Sequence, residues 1–161
     1  MKVSTEQRIA APLPWVWDRI SEFPPHAKAL RARGVKVERI RPGPGAGASW
    51  RVAGAFRGKR REGELRVARF EPPRLIGLEG TSGGMTGASE VLLAEDGPGL
   101  TRMTMWIELE ATNLAAKLLL GTLTVARGEL QRRFEARLAG YAAALGEAYE
   151  AEGPSRRPST G

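Results

Sequence analysis

The stretch that decides the fold is IAAPLPWVWDRISEF, residues 9–23, where a short strand ends and a helix begins at once. Residues 3–9 alternate between apolar and polar side chains, which predicts the strand. The prolines that follow suit a first helical turn, because their missing amide hydrogen has no partner to lose there. Apolar residues then recur at helical spacing and predict one buried helix face, formed by Leu13, Val16, Trp17, Ile20 and Phe23.

The rest of the chain predicts a meander and then a long helix. Pro24 and Pro25 predict the end of the first helix, and a second short helix can follow before Gly34. From Asn113, a favourable N-cap, apolar residues at steps of three and four predict one helix over 113–150, bent near Gly121 or Gly128. Between these helices, strands separated by short turns are predicted at 35–41, 49–56, 59–70, 75–81, 85–95 and 100–111.

This order of elements resembles the START-like (SRPBCC) superfamily, which includes polyketide cyclases and dehydrases, coenzyme Q-binding proteins and the birch pollen allergen. The resemblance rests on Ile9, Ala11, Pro12, Val16 and Trp17 and on the turn GPGLTR, besides the element order. It implies an α+β helix-grip fold, in which a curved antiparallel sheet of about seven strands wraps around a long C-terminal helix. We expect a single ligand-binding domain over 1–151 and a disordered Pro/Ser/Gly-rich tail over 152–161.

Composition limits the classes of function. The chain has 161 residues and no cysteine, which excludes disulfides, thiolate metal sites and thiol nucleophiles. No apolar signal segment follows Met1, and the longest apolar run, at 114–126, is too short to span a bilayer, so we expect a cytoplasmic protein. The net charge of +7 indicates either an anionic partner or an arginine-rich composition without functional meaning.

A curved sheet around a helix encloses a cavity unless large side chains fill it. Small residues predicted to face inward favour a cavity, although glycines there could instead mark bends in the sheet; they are Gly54, Gly77, Gly80, Gly87, Ala88 and Ser89. Methionines could form an adaptable ligand wall or plain core. The predicted ligand-binding residues are Trp50, Val52, Phe56, Leu78, Met85, Ser89, Met103, Met105, Leu119, Thr122, Leu123 and Ala126.

Alternate turns of a meander share one end of the sheet, which locates the mouth of this cavity. The turns at 57–58 and 82–84 and the exit at 112–113 should lie together. This end carries the densest basic cluster of the chain, Arg57, Lys59, Arg60 and Arg61. The cluster suits a ligand with an acidic head or a transient contact with an anionic membrane surface, and it could equally be a solvated turn.

The sequence offers little for catalysis. His26 is the single histidine, so no Ser-His-Asp triad or histidine metal site can form, and we assign no catalytic residue, metal or cofactor. Strand carboxylates could act as acids or bases if they faced inward, and Arg102 and Tyr141 could contact a polar ligand group. Those carboxylates are Glu62, Glu64, Glu79, Glu90, Glu108 and Glu110.

Three functions remain open. The first is a carrier of a hydrophobic or amphipathic small molecule such as a lipid, quinone or polyketide. The second is a cyclase or dehydratase acting in the same cavity. The third is a ribosome- or nucleic-acid-associated protein, which ranks below the others because the sheet lacks aromatic residues interleaved on a basic face.

Overall fold

The computed structural model describes residues 1–43, 45–56 and 58–152. Every predicted strand is present, with boundaries within one residue of those expected. The elements are β1 (Lys2–Ile9), α1 (Leu13–Ile20), α2 (Phe23–Ala32), β2 (Lys36–Arg41), β3 (Ser49–Phe56), β4 (Lys59–Glu71), β5 (Leu75–Ser82), β6 (Met85–Glu95), β7 (Thr101–Ala111), α3 (Leu114–Val125) and α4 (Arg127–Glu152).

The strands form one antiparallel sheet in the order β1-β7-β6-β5-β4-β3-β2. The first strand pairs with the last, so that Lys2 lies opposite Glu108 and Ile9 lies opposite Thr101. The early helical break at residues 10–13 therefore allows β1 to join the far edge of the meander. The α+β helix-grip architecture predicted from the sequence is confirmed.

Helix α4 runs along β1 in the same direction. Near its start Arg127 donates a hydrogen bond from Nε to the carbonyl of Lys2, at 3.1 Å, and near its end Gly146 lies against Ala10. Leu138, Ala142 and Leu145 on its inner side belong to the hydrophobic core. Burial of this face holds the long helix on the concave side of the sheet.

One end of the sheet is closed by α1 and α2. Val16, Trp17 and Ile20 of α1 are buried, as their helical spacing predicted. Phe23 packs edge-on against Trp50 with ring centroids 5.3 Å apart, while Trp17 lies 5.2 Å from Phe70. Aromatic pairs at these distances add to the burial of their apolar area, so this end is a filled core.

Two predictions about helices are wrong. Phe23 begins α2, and Pro24 and Pro25 occupy the first turn of that helix, where their missing amide hydrogens cost nothing, rather than ending α1. The C-terminal segment is two helices, because α3 ends at Val125 and α4 starts at Arg127. The break lies at Ala126, two residues before Gly128, which is near one of the two positions where a bend was predicted.

The predicted tail boundary also differs from the structure. Helix α4 continues through Glu152, whose carboxylate accepts a hydrogen bond from Trp15 Nε1 at 2.7 Å and pairs with Arg19. The remainder of the predicted tail, 153–161, lies outside the described residues.

Candidate functional site

The concave face of the sheet changes from buried to half-exposed along each central strand. On β7, Thr101 and Met103 are buried, whereas Met105, Ile107 and Leu109 on the same face are only partly buried. The same gradient runs along β3, β4, β5 and β6 from the end under α1 and α2 to the opposite end. The core therefore fills one half of the concave face and leaves the other half open as a groove.

The groove is apolar with few polar atoms. Residues paired across neighbouring strands point to the same side of the sheet. The strand register therefore identifies which residues line the groove. Leu109 on β7 and Leu65 on β4 lie at its two sides, and Ser89 lies between them on β6. Its half-buried side chains are Leu65, Leu78, Met85, Ser89, Val91, Met105, Ile107 and Leu109.

The structure brings most of the predicted ligand-binding residues of the sheet onto this face. Val52, Leu78, Met85, Ser89 and Met105 are half-buried there, and Phe56 lies at the exposed tip of β3. Trp50 and Met103 share the face but are buried in the core cluster, so they form the closed half rather than the groove. Their ligand-binding role, like that of the others, stays a prediction.

The predicted residues of the helix divide between two sides. Leu123 is buried and Leu119 half-buried, which directs both toward the sheet, and Ala126 lies at the helix break. Thr122 is exposed, and its hydroxyl donates to the carbonyl of Leu118 at 3.1 Å. The prediction that Thr122 lines the cavity is wrong, because it lies on a different helix face from Leu123.

Two of the small residues are also misplaced by the prediction. Gly77 pairs with Arg69, and an added β-carbon there would meet the Arg69 side chain, so Gly77 faces the outer surface. Ala88 pairs with Glu108 on that same outer surface. Gly54, Gly80, Gly87 and Ser89 do lie on the concave face, where the Leu65 side chain packs over Gly80 and the Leu109 side chain over Gly87.

Ser89 carries the polar atom that distinguishes the groove floor. Its Oγ is buried and has no hydrogen-bond partner among the described residues. The register places Leu78 and Ile107 on either side of it. A buried hydroxyl without a partner costs free energy, so a ligand with a carbonyl or hydroxyl group at this depth would satisfy it.

Sequence reasoning missed several residues that line the groove. Ile107 and Leu109 alternate with polar residues on β7, and this alternation could have identified them together with Met105. Leu65 and Val91 lie in strands whose pattern is interrupted by glycine and charge, which hides their shared face in the sequence.

The turns that were predicted to share one end of the sheet do lie together there. The backbone amide of Thr112 donates to the carbonyl of Gly84 at 2.8 Å, which joins the exit of β7 to the β5–β6 turn. The β4–β5 register begins at Glu64, so the β3–β4 hairpin formed by β3 and residues 59–63 projects past that turn at the same end of the sheet. Helix α3 starts beside Gly84 and ends near Lys2, so it crosses this open end.

The basic cluster lies at the hairpin tip. Lys59 and Arg60 are exposed and Arg61 is half-buried, while Arg57 lies outside the described residues. The Arg61 guanidinium stands 5.9 Å from the Phe56 ring, and Arg60 pairs with Glu62 at 3.3 Å. The tip therefore combines cationic groups with an exposed aromatic ring.

None of the strand carboxylates considered for acid–base chemistry faces the groove. Arg69 pairs with Glu90 at 3.0 Å on the outer surface, and Arg66 pairs there with Glu79. The register puts the other members of that set on the same outer surface. Arg102 also lies there, opposite Arg8, so the prediction that it contacts a ligand inside is not supported by its position.

The remaining titratable candidates lie toward α2. His26 Nε2 lies 2.9 Å from the carbonyl of Ile20, as expected for a structural role. The Tyr141 ring stands 6.3 Å from the His26 ring, and burial raises the pKa of the Tyr141 phenol above its usual value. These two groups belong to the side of the fold that is filled by core.

Two further depressions lie away from the groove. The larger, of about 730 Å³, is on the outer surface and is lined by charged and apolar residues that include Arg69, Arg74 and Leu92. The other, of about 540 Å³, lies between β1 and Glu135. Both are wide and shallow. In residues 1–43, 45–56 and 58–152 no three His, Asp or Glu side chains gather as metal ligands would, and no helix is long and apolar enough to cross a membrane.

A family model described as "Polyketide cyclase / dehydrase and lipid transport" matches residues 1–146. The chain belongs to this family. The match covers β1 through most of α4, which includes the whole groove and its mouth. The START-like resemblance drawn from the opening motif and the element order is thereby confirmed. Among curated proteins, none matches the chain.

Solved structures of this fold are similar over nearly the full chain. The Zhui aromatase/cyclase from Streptomyces sp. R1128 is 16% identical with a TM-score of 0.66, covering 98% of this chain and 99% of that one. TTHA0849 from Thermus thermophilus is 16% identical with a TM-score of 0.64, covering 95% and 99%. Norcoclaurine synthase from Thalictrum flavum is 17% identical with a TM-score of 0.63, covering 92% and 85%. At these identities the similarity shows the fold alone.

Proposed function

We propose that this protein binds and carries a hydrophobic or amphipathic small molecule, of lipid, quinone or polyketide type, in the groove. The observation that supports this most is the gradient of burial along the concave face, from Met103 in the core to Leu109 at the mouth. Apolar side chains left half-exposed in a concave surface gain stability when a ligand removes them from water. Family membership is consistent with this role.

The polar groups around the groove narrow the ligand class. Ser89 Oγ is a buried, unpaired hydroxyl beneath the groove floor, which a ligand carbonyl or hydroxyl group would reach when the side chains above it shift, and Lys59 and Arg61 can meet an acidic head at the mouth. The ligand we propose therefore has an apolar body, one hydrogen-bonding group along it and an acidic end. The same basic tip can also contact an anionic membrane surface, and we include a transient membrane contact in the proposal.

A cyclase or dehydratase acting in the same groove is the second candidate. The family description and the fold shared with an aromatase/cyclase favour it. Its weakness is chemical, because the six strand carboxylates considered above lie on the outer surface and general acid–base catalysis requires a group within hydrogen-bond reach of the substrate. A carrier needs no such group, and we rank it first. A nucleic-acid role gains no support, since Trp50 of the sheet is buried in the core.

The cellular location is part of the same proposal. We propose a cytoplasmic carrier, supported by the absence of cysteine, which suits a reducing compartment without requiring it.

Blocking the groove tests its role in binding. 1-Anilinonaphthalene-8-sulfonate, which has an apolar body and an acidic group, is titrated into the protein and followed by fluorescence. Ser89→Trp should fill the groove and abolish saturable binding, whereas Ala88→Trp, on the opposite face of the same strand, should leave it intact. Equal binding by both variants would place the probe elsewhere and contradict the proposal.

A second measurement separates carrier from enzyme. Native mass spectrometry of freshly purified protein identifies a retained ligand, and incubation with a linear poly-β-ketone thioester followed by product analysis detects cyclisation. Retention or binding without a cyclised product supports the carrier, and formation of an aromatic product that Ser89→Trp abolishes supports the enzyme.

A further inference from the structure

Helix α3 is apolar on two opposite faces. Ala116 and Leu123 are buried against the body of the protein. Leu114, Leu118 and Val125 are 74%, 67% and 91% exposed. They follow one another at steps of four and seven residues with Gly121 between them, so they share a single face at 3.6 residues per turn. We call Leu114, Leu118 and Val125 the outer stripe. A helix that is apolar all round is normally buried in protein or in lipid, and here no residue of 1–43, 45–56 or 58–152 covers one face.

The polar groups of α3 are arranged so that contact with an apolar medium costs little. Thr122 and Thr124 are exposed, but their hydroxyls donate to the carbonyls of Leu118 and Leu120 at 3.1 and 2.8 Å. A hydroxyl that is already bonded to its own helix loses no water partner when the surface is dehydrated. At the start of the helix, the Asn113 side chain accepts from the amide of Ala116 at 2.8 Å, which satisfies one backbone donor.

The charges near the outer stripe are of one sign. Residues 111–128 contain no acidic side chain, and their two charged residues are Lys117 and Arg127. Lys117 adjoins the outer stripe at Leu118, and its long stem can lie along an apolar surface while its ammonium group reaches a polar boundary. The hairpin tip with Lys59, Arg60 and Arg61 lies at the same end of the sheet.

We propose that the outer stripe of α3 inserts into the surface of an anionic lipid bilayer, with Lys117 and the hairpin tip at the phosphate level. The apolar stripe supplies the burial, and the cations supply attraction to acidic head groups. Because α3 crosses the mouth of the groove, this contact places the mouth against the bilayer. The insertion does not depend on the groove being occupied, so it can be measured in ligand-free protein.

A second copy of the chain could also cover an apolar face, and the charges favour lipid over self-association. Two outer stripes meeting face to face would bring Lys117 and the basic tips of both copies together without a carboxylate from residues 111–128 to balance them. Like charges brought together at a contact oppose it.

The absence of cysteine permits a site-specific test. Leu118→Cys and Val125→Cys are labelled with a polarity-sensitive fluorophore, and Leu30→Cys on α2, another exposed apolar position at 39%, serves as the matched control. Vesicles are made of phosphatidylcholine alone or with phosphatidylglycerol. Emission from positions 118 and 125 should rise and shift to the blue with the anionic vesicles, while the control label should not respond.

Sedimentation with the same vesicles gives an independent measure. The double variant Leu118→Gln/Val125→Gln should lower the vesicle partition coefficient about tenfold or more, since two apolar side chains lose their burial. Ile40→Gln, which changes an exposed apolar residue on β2, should leave the partition coefficient unchanged.

Three outcomes would overturn the proposal. The first is a wild-type protein that does not sediment with either vesicle. The second is a fluorophore at position 118 or 125 that stays in water when the protein is bound. The third is concentration-dependent dimerisation that Leu118→Gln/Val125→Gln abolishes, which would assign the stripe to a second copy. Loss of groove binding by Ser89→Trp with vesicle binding retained would leave this proposal intact, so the two proposals fail separately.

Discussion

The side-chain amide of Asn113 fills the space beside Gly84, and a β-carbon at Gly84 would lie 2.0 Å from that amide nitrogen. Asn113 caps α3 through the amide of Ala116 and donates a second hydrogen bond to the carbonyl of Gly83 at 3.3 Å. The β5–β6 turn and the first turn of α3 are therefore one unit, and the position of the helix over the mouth depends on a glycine in that turn.

Gly84→Ala should destabilise the protein more than Gly83→Ala. Both glycines have positive φ, at 86° and 51°, and alanine is strained in either place by about 1–2 kcal/mol. At Gly84 the new methyl group also displaces the cap, which adds about 1 kcal/mol. Urea unfolding followed by tryptophan fluorescence measures the difference, and equal losses of unfolding free energy would show that Asn113 does not depend on Gly84.

Leu138→Ala and Leu118→Ala form a matched pair on the two C-terminal helices. Leu138 is buried in the core cluster, so its truncation should cost about 2–5 kcal/mol of unfolding free energy. Leu118 is exposed, and its truncation should stay within about 0.5 kcal/mol. The same urea experiment compares them, and a large loss at Leu118 would mean that α3 packs more closely on the body than its exposure indicates.

Ser89→Ala should leave the unfolding free energy unchanged or raise it, because the buried hydroxyl has no partner to lose. Ser82→Ala is the control on the same face: its Oγ donates to the carbonyl of Glu62 at 2.6 Å, so its loss should cost about 1 kcal/mol. With 2-naphthol and 2-methylnaphthalene as probes, Ser89→Ala should weaken binding of the naphthol alone. Equal effects on the binding of both probes would show that the Ser89 hydroxyl takes no part in ligand recognition.

Stability should fall in alkaline solution through Tyr141. Burial raises the pKa of its phenol in the folded protein above 10.0, so the folded state holds the proton more tightly than the unfolded state does. This contribution is complete below pH 10 and is lost as pH rises through the folded pKa. Unfolding free energies at pH 9 and pH 11 should differ less for Tyr141→Phe than for the wild type, and an identical pH dependence would contradict this assignment.

The basic cluster should act through long-range attraction. Replacing Arg57, Lys59, Arg60 and Arg61 by glutamine should weaken binding to anionic vesicles by about 1 kcal/mol per charge near the surface. The loss should shrink at high salt as screening increases, whereas the loss from the outer-stripe variants should persist. Stability should change little, because Lys59, Arg60 and Arg61 lie at a hairpin tip. If vesicle affinity at low salt were unchanged, the basic cluster would be a solvated turn with no role in membrane binding.

The strands could be predicted from the sequence because alternation and turn residues are local signals. The alternation of β7 between Met103 and Leu109 and the turns at Gly58 and Gly83 both lie within a few residues of what they determine. The count of turns then placed the β3–β4 turn, the β5–β6 turn and the exit of β7 at one end of the sheet without any knowledge of tertiary contacts. These signals account for the sheet order and for most concave positions.

The helices and the exact lining of the groove depend on contacts that local patterns do not contain. A proline suits the first turn of a helix as well as the residue after one, so Pro24 alone could not decide between α1 and α2. The break at Ala126 arises where α3 leaves the mouth and α4 begins to follow β1, and the continuous apolar pattern conceals it. The exposure of Val125 and Thr122 follows from that change of direction.

The pairing of β1 with β7 imposes an order on biosynthesis. The partner of Ile9 is Thr101, and the partner of Lys2 is Glu108, so the first strand leaves the ribosome long before its neighbour exists. Strands β2 to β7 pair with sequence neighbours and can assemble as they emerge, whereas β1 must wait for β7, and α4, which packs along β1, is made after β7. Such distant pairings slow folding because a long loop must close before they form. The nascent chain therefore presents the unpaired edge of β7 until β1 closes onto it.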